Sequence, residues 1–244
     1  MNSLASNNRN VKTSAFQCLI EFVKIYYDYL KEFYAPVWEA TSTAIVGNDK
    51  ELAILAIEVW NVIANEDKER ANSAFNLPCH NIILEVEKVL VPALLQNLLD
   101  GSKYDDSDEG GELNIISSTR SCLISIAETM KDAFLEYAIK FVGTYLLSQN
   151  PLELRAGLIT YSCMLDGPSP QSLGNLVTQA LPTISNILIN SNNLILQEEA
   201  STALERTAEI IPQAYFQEPL FSNISTGLTE AINTHPRVYF FLKE

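Results

Sequence analysis

The chain has 244 residues, 47% hydrophobic and 9% aromatic, which excludes a disordered composition and is enough to bury a large core as one domain or as a continuous array. Acidic residues outnumber basic ones 30 to 16, for a formal charge of −14. Such a surface repels phosphate backbones and anionic lipid heads, arguing against direct nucleic-acid binding, and attracts basic peptides and basic protein faces.

Taken in chain order, residues 1–10 are polar and Asn/Ser-rich and read as a disordered start with no signal peptide. From 11 to 244 the apolar spacing is helical. Phe16, Leu19, Ile20, Val23 and Tyr27 form one stripe, and Val37, Ala40, Ala44 and Ile45, with Thr41, a second. Leu52, Leu55, Ala56, Val59, Trp60 and Ile63 form a third, followed by Glu66–Asn81, read as a polar connector that can extend the preceding helix. Then come Ile83 to Leu94, an acidic insertion at 100–112, and Ile115 to Ala127. The segments Lys131–Ser148, Leu152–Leu165, Leu173–Ile189, Leu194–Ile211 and Pro219–Ile232 repeat the pattern. Between them Gly47-Asn48-Asp49, Asn150-Pro151, Asp166-Gly167-Pro168-Ser169-Pro170, Asn190-Ser191-Asn192-Asn193 and His235-Pro236 offer turn and capping chemistry. No apolar stretch reaches the roughly 18 residues of a membrane span, so membrane insertion is not expected.

Prolines recur at Pro36, Pro92, Pro182 and Pro219, and 182 and 219 differ by 37, close to the roughly 40-residue period of helical arrays. The partner helices end alike, at Val62-Ile63-Ala64-Asn65, Ser125-Ile126-Ala127-Glu128 and Arg206-Thr207-Ala208-Glu209. One pair cannot bury both its faces, so pairs stack. The expected fold is all-α, a right-handed α-α superhelix of HEAT repeats made of about five antiparallel helix pairs over 11–244. Its last segment, Pro236 to Leu242, is strongly apolar and reads either as the end of a fragment or as an end that something else covers. Cys18, Cys79, Cys122 and Cys163 are too scattered for a zinc site or a disulfide framework and suit a reducing, intracellular compartment. His80 and His235 have no nucleophile or metal-ligand arrangement around them, and no phosphate-cradling glycine loop occurs. No enzyme, cofactor or metal is therefore expected.

Several stretches carry a resemblance: Tyr26-Tyr27-Asp28-Tyr29-Leu30, Tyr34-Ala35-Pro36, Ile57-Glu58-Val59-Trp60-Asn61, Val89-Leu90-Val91-Pro92 with the acidic loop after it, Cys163 to Leu173, Gln179-Ala180-Leu181-Pro182 and His235-Pro236-Arg237-Val238. In this order they resemble the importin-β (karyopherin-β) nuclear transport receptors from about Val11 to Val238, over the central HEAT repeats, about the sixth to the eleventh. The resemblance implies a segment of a nuclear import receptor, shared between cytoplasm, nucleus and nuclear pore. Its implied partners are Ran-GTP, the basic N-terminal helix of importin-α or a basic cargo, and, weakly in this segment, FG nucleoporins. The alternative is a HEAT scaffold of another class, such as a phosphatase regulatory subunit.

Candidate sites lie in the acidic insertion and on the second helices. Asp105, Asp106, Asp108, Glu109 and Glu112, with Gly110 and Gly111, form the acidic loop. By composition alone it is a solvated loop or, less well, a calcium loop lacking the spaced ligands of an EF-hand; the resemblance makes it a contact for Ran or the adaptor. On the second helices, Glu58, Trp60, Asn61, Glu128, Asp166 and Glu209 are groove candidates, against the plainer readings of a packed indole and a solvated acidic face. Leu113 and Thr202 stand where relatives carry tryptophans, which removes stacking platforms for a cation. Arg155 and Arg237 read as structural arginines. Grooves between first helices near Tyr34, Val37 and Trp38 are candidates for a nucleoporin Phe, and Tyr26, Tyr27 and Tyr29 read as packing.

Overall fold

A computed structural model describes residues 6, 8–100, 114–215, 221–222, 224–227 and 229. All regular structure among them is helical: α1 (Arg9–Tyr26), α2 (Tyr34–Ile45), α3 (Lys50–Ala71), α4 (Ile82–Leu99), α5 (Ile115–Met130), α6 (Leu135–Tyr145), α7 (Pro151–Cys163), α8 (Pro170–Asn190) and α9 (Leu194–Ile210). Short 3-10 turns at Tyr27–Glu32, Lys131–Phe134 and Pro212–Tyr215 extend α1, precede α6 and come after α9. The chain divides into two compact units, Met1–Met130 and Lys131–Glu244.

The helix starts lie where side chains satisfy the orphan amides. Asn8, Asp49, Asn150, Ser169 and Asn193 each cap a helix with their own side chain, and Pro151 and Pro170 occupy the first turn, where no amide bond is lost. The Asn and Ser breakers of the sequence are these caps. Pro36 sits near the start of α2, whereas Pro92 and Pro182 lie inside α4 and α8, where each removes one intrahelical bond. Pro219 lies outside the described residues.

Two boundaries differ from expectation, and the 66–81 connector is found partly continuing the preceding helix. Helix α1 begins at Arg9 rather than after residue 10, because Asn8 accepts from the amides of Asn10 and Val11. Helix α3 continues to Ala71, so the connector shrinks to residues 72–81, and Asp67, expected in polar surroundings, is wholly buried. Lys131 has φ +56°, a left-handed residue that ends α5, opens the Lys131–Phe134 turn and delays α6 to Leu135.

In unit 1, α2 pairs with α3 and α4 with α5, while α1, α3 and α5 lie side by side. Phe16, Val23, Leu30, Ile57, Trp60, Ile63 and Leu90 fill the core. Trp60 Nε1 donates to Thr41 Oγ1 at 2.8 Å, so the largest side chain carries its polar atom to a partner, as burial requires. In unit 2, α6 pairs with α7 and α8 with α9, and α7 packs on α9. Gly157 lets α7 touch the end of α6: a Cβ there would lie 2.9 Å from the Leu146 nitrogen and 3.0 Å from the Tyr145 carbonyl carbon.

The period is written in the cross-links. Arg9–Asp49 and Tyr27–Asp67 in unit 1, and Asp132–Ser172 and Asp166–Arg206 in unit 2, all join residues 40 apart. Amides from later helices also close the carbonyl ends of earlier ones: Asn97 on α4 donates to Ile45 O at 3.0 Å, and Gln197 on α9 to Leu188 O at 3.0 Å. These are the stacked helix pairs of a HEAT-repeat array.

Candidate functional site

The five acidic-loop residues Asp105, Asp106, Asp108, Glu109 and Glu112, and Leu113, lie outside the described residues. The remaining candidates divide between the units.

In unit 1, Glu58, Asn61 and Glu128 come together on the face made by α3 and α5. Asn61 donates to Glu58 Oε2 at 3.1 Å within α3, and its Oδ1 accepts from Ser125 Oγ on α5 at 2.8 Å. One turn on, Asn65 donates to Asn61 O at 3.0 Å, and Thr129 Oγ1 donates to Ala64 O at 2.9 Å, again across the two helices. The face ends at Lys68, whose ammonium meets Glu128 Oε2 at 2.8 Å. Helical spacing places 58, 61, 65 and 68 on one stripe of α3 and 125, 128 and 129 on one stripe of α5. Ser125 is itself buried, whereas Glu58, Asn61, Asn65, Lys68, Glu128 and Thr129 are half-buried. Glu58 has no ion pair among the described residues. Lys24 of α1, held by Glu21 at 2.7 Å, is pushed up in pKa by that bond first and also feels Glu58.

Trp60 does not belong to this face. It points the other way, wholly buried, edge-on to Trp38 with ring centroids 5.8 Å apart. The indole is apolar and needs one acceptor, and Thr41 supplies it within the core, so the groove reading of Trp60 is replaced by packing.

In unit 2, Asp166 and Glu209 converge on one cation. The Arg206 guanidinium pairs with Asp166 and lies 3.9 Å from Glu209, which is exposed. Asp166 therefore directs its charge into its own unit, with its other carboxylate oxygen buried. Deeper between α7 and α9, the Tyr161 hydroxyl meets Thr207 Oγ1 at 2.9 Å, and burial pushes its pKa up to about 12. Arg155 meets Glu199 at 3.4 Å between the same helices, a structural pairing as expected. Thr202 turns its hydroxyl back to Glu198 O of its own helix. Arg237 lies outside the described residues.

Near the expected first-helix groove, Val37 lines an apolar groove of about 750 Å³ together with Leu19, Phe22, Leu30 and Phe33, while Tyr34 and Trp38 are not part of its wall. Val37 is buried and Trp38 packs on Trp60. In unit 2, α6 and α8 leave a groove of about 230 Å³ lined by Ile139, Val142, Gly143, Leu147, Leu176 and Ala180. Gly143 keeps it open, with nothing within 4 Å of its missing Cβ, and Leu147 is 68% exposed at its rim. Sequence reading missed this groove; its signal was the unoccupied glycine position on an apolar helix face. The tyrosine cluster also separates: Tyr27 is buried, but Tyr26 and Tyr29 are exposed and form a surface ring group with Phe22. Among the described residues no group of three or more His, Cys, Asp or Glu is placed to hold a metal, and no helix is long and apolar enough to cross a membrane.

No family model matches the chain. It is 26% identical over 240 residues to importin subunit beta-1 of Arabidopsis thaliana, covering 93% of this chain and 28% of that protein. It is 26% identical over 235 residues to importin subunit beta-1 of Saccharomyces cerevisiae, covering 93% of this chain and 27% of that protein. The chain thus spans under a third of the length of the relatives it matches. Among solved structures it superposes on Kap95p from a complex with RanGDP with a TM-score of 0.89 at 22% identity, over 98% of this chain and 28% of that one. Kap95p in complex with Nup1 gives a TM-score of 0.88 at 23% identity, over 97% of this chain and 28% of that one.

Proposed function

We propose that this chain, an importin-β (karyopherin-β) homologue by sequence and a HEAT-repeat array by fold, serves in nuclear import by holding basic protein segments on its second-helix faces. The observation that carries the reading is the α3/α5 face of unit 1. It is a continuous strip of half-buried amides, hydroxyls and carboxylates, with Glu58 left without an ion pair among the described residues. A strip of that kind favours a helix or extended segment rich in Lys and Arg, and the net charge of −14 speeds its approach. The partners in this reading are Ran-GTP and a basic adaptor helix or cargo, with Asp105, Asp106, Asp108 and Glu109 as further contacts. The comparison with Kap95p and RanGDP supports the choice of partner; the charge balance supports its sign.

A second contact is favoured by one specific feature, the α6/α8 groove of unit 2. Its apolar walls and volume of about 230 Å³ suit a single aromatic side chain, which fits a Phe of an FG nucleoporin. The comparison with Kap95p and Nup1 supports that partner class.

The test is a titration of Ran-GTP and Ran-GDP against the whole chain and against an Asp105/Asp106/Asp108/Glu109→Ser variant. Binding of Ran-GTP that weakens steeply between about 50 and 300 mM salt, and in the variant, supports the reading. Salt-insensitive binding, or none with a basic adaptor helix and Ran alike, overturns it.

A further inference from the structure

The least expected feature of unit 1 is a buried carboxylate. Asp67 is wholly buried in the last third of α3 and meets groups from three separate stretches. Its Oδ2 accepts from the Ile83 amide at 2.8 Å. Asn81, which precedes α4, is left-handed at φ 51° and offers no side-chain cap, so the start of α4 is capped by a residue of α3. The Asp67 Oδ1 accepts from the Tyr27 hydroxyl, in the turn after α1. The same hydroxyl accepts from the His80 amide at 3.0 Å.

The Tyr27 ring is clamped as well. His80 stacks on it with centroids 5.4 Å apart, and the Arg70 guanidinium lies 4.2 Å from its centroid. Arg70 in turn reaches Asp28 at 2.5 Å, Glu66 at 3.2 Å and the Pro78 carbonyl at 3.2 Å. The Cys79 thiol donates to the Asp67 carbonyl at 3.4 Å, and His80 Nε2 meets the Asp28 carbonyl at 3.1 Å. The Pro78, Cys79, His80 and Ile83 contacts tie residues 78–83 to α3 and to the turn after α1. The other end of the connector is different: Phe75 is 87% exposed, and its amide is held by Ser73 Oγ at 3.1 Å, two residues away.

We propose that Asp67 and Tyr27 form a lock that closes the 78–83 stretch onto α3 and the turn after α1, so that three successive repeats of unit 1 move as one body. A repeat array adapts to partners through small rotations between neighbouring pairs. The lock removes that freedom at this joint. It rests on the geometry alone and stands or falls independently of which partner binds.

Hydrogen exchange on the whole chain tests it. Tyr27→Phe keeps the ring, its stacking and its cation contact, and deletes only the hydroxyl that bridges Asp67 and His80. The expected result is exchange at least about ten-fold faster at the His80 and Ile83 amides, with α2 and α5 within about two-fold of the parent. Asp67→Ala removes the cap and extends the acceleration to the first turn of α4. Phe75→Ser, at the free end, leaves all these rates unchanged. Unaltered rates in Tyr27→Phe, or an equal acceleration throughout α1 to α5, overturn the lock: the first makes the bonds dispensable, the second makes Asp67 an ordinary buried residue. If Asp67→Ala does not fold, Tyr27→Phe decides alone.

Discussion

Units 1 and 2 join their second helices with different chemistry. In unit 1, α3 and α5 are tied by amides and hydroxyls, Asn61 to Ser125 and Thr129 to Ala64, and by one ion pair, Lys68–Glu128, over separations of 64, 65 and 60 residues. In unit 2, α7 and the loop after it meet α9 through Arg155–Glu199, Asp166–Arg206 and Tyr161–Thr207, over 44, 40 and 46 residues. The difference is one of chain length. The long α3, the connector 72–81 and the stretch 101–113 widen the first interval, and the second keeps the ordinary period. It is also one of charge. Unit 2 directs Asp166 inward to Arg206, whereas unit 1 leaves Glu58 without such a partner among the described residues. Glu58 is thereby left available to a basic partner, whereas Glu128 is taken up by Lys68 and Asp166 by Arg206.

The largest effect that sharpens the contrast lies in the core of unit 1. Trp60→Ala removes a wholly buried indole and its bond to Thr41, at a cost of about 3–5 kcal/mol. Urea unfolding should show a lowered midpoint. A loss under about 1 kcal/mol would mean that Trp60 faces solvent after all and restore its groove reading. In unit 2 the counterpart is a backbone contact. Gly157→Ala sets a Cβ 2.9 Å from the Leu146 nitrogen, where only backbone can give way, and costs about 1–3 kcal/mol. A stabilising Gly157→Ala, the usual helix-propensity result, would show that α6 and α7 do not approach so closely.

Much of this was legible in sequence. Helical periodicity located the helices because each buries one stripe. Asn150-Pro151, Ser169-Pro170 and Asn193 marked helix starts because their side chains have few other uses there. Glu58, Asn61 and Glu128 were groove candidates because they are polar positions on the second helices. What failed depended on residues far apart in the chain. Asp67 looked like part of a polar run, and nothing local revealed that Tyr27, 40 residues earlier, and Ile83 would satisfy it. Trp60 and Trp38 needed Thr41 to be read as core. Gly157 owes its importance to a neighbouring helix, and Gly143 to the absence of one. The acidic loop, strongest by composition, lies outside the described residues, so its role stands as a proposal.

The next effect is smaller and concerns pH. Burial, the leading cause, pushes the Asp67 carboxyl up, against the Ile83 and Tyr27 donors that draw it down. A carboxyl whose folded pKa exceeds its unfolded one binds its proton more tightly when folded. Its contribution therefore favours the folded state in acid and declines as pH rises from the ordinary carboxylate value through the raised one. Asp67→Asn cannot titrate, so its stability should fall less than the parent's across that window, whatever the offset between the two proteins. Parallel curves from thermal melts at stepped pH would remove the buried-charge account of Asp67.

The smallest effect on stability is the most direct probe of the difference between the faces. Lys68 and Glu128 are 27% and 31% exposed, so Lys68→Met should change stability by less than about 1 kcal/mol. Its effect on binding should run the other way from that of most surface mutations. Removing the ammonium releases Glu128 on the face that also carries Glu58 and adds one net negative charge to it. A basic helix that docks there should then bind more tightly, with a steeper dependence on salt, and Glu128→Gln should bind more weakly. Affinity that drops in both variants would mean that the Lys68–Glu128 pair itself shapes the contact. Affinity unchanged in both would move the basic partner off this face, leaving the acidic loop as its remaining electrostatic anchor.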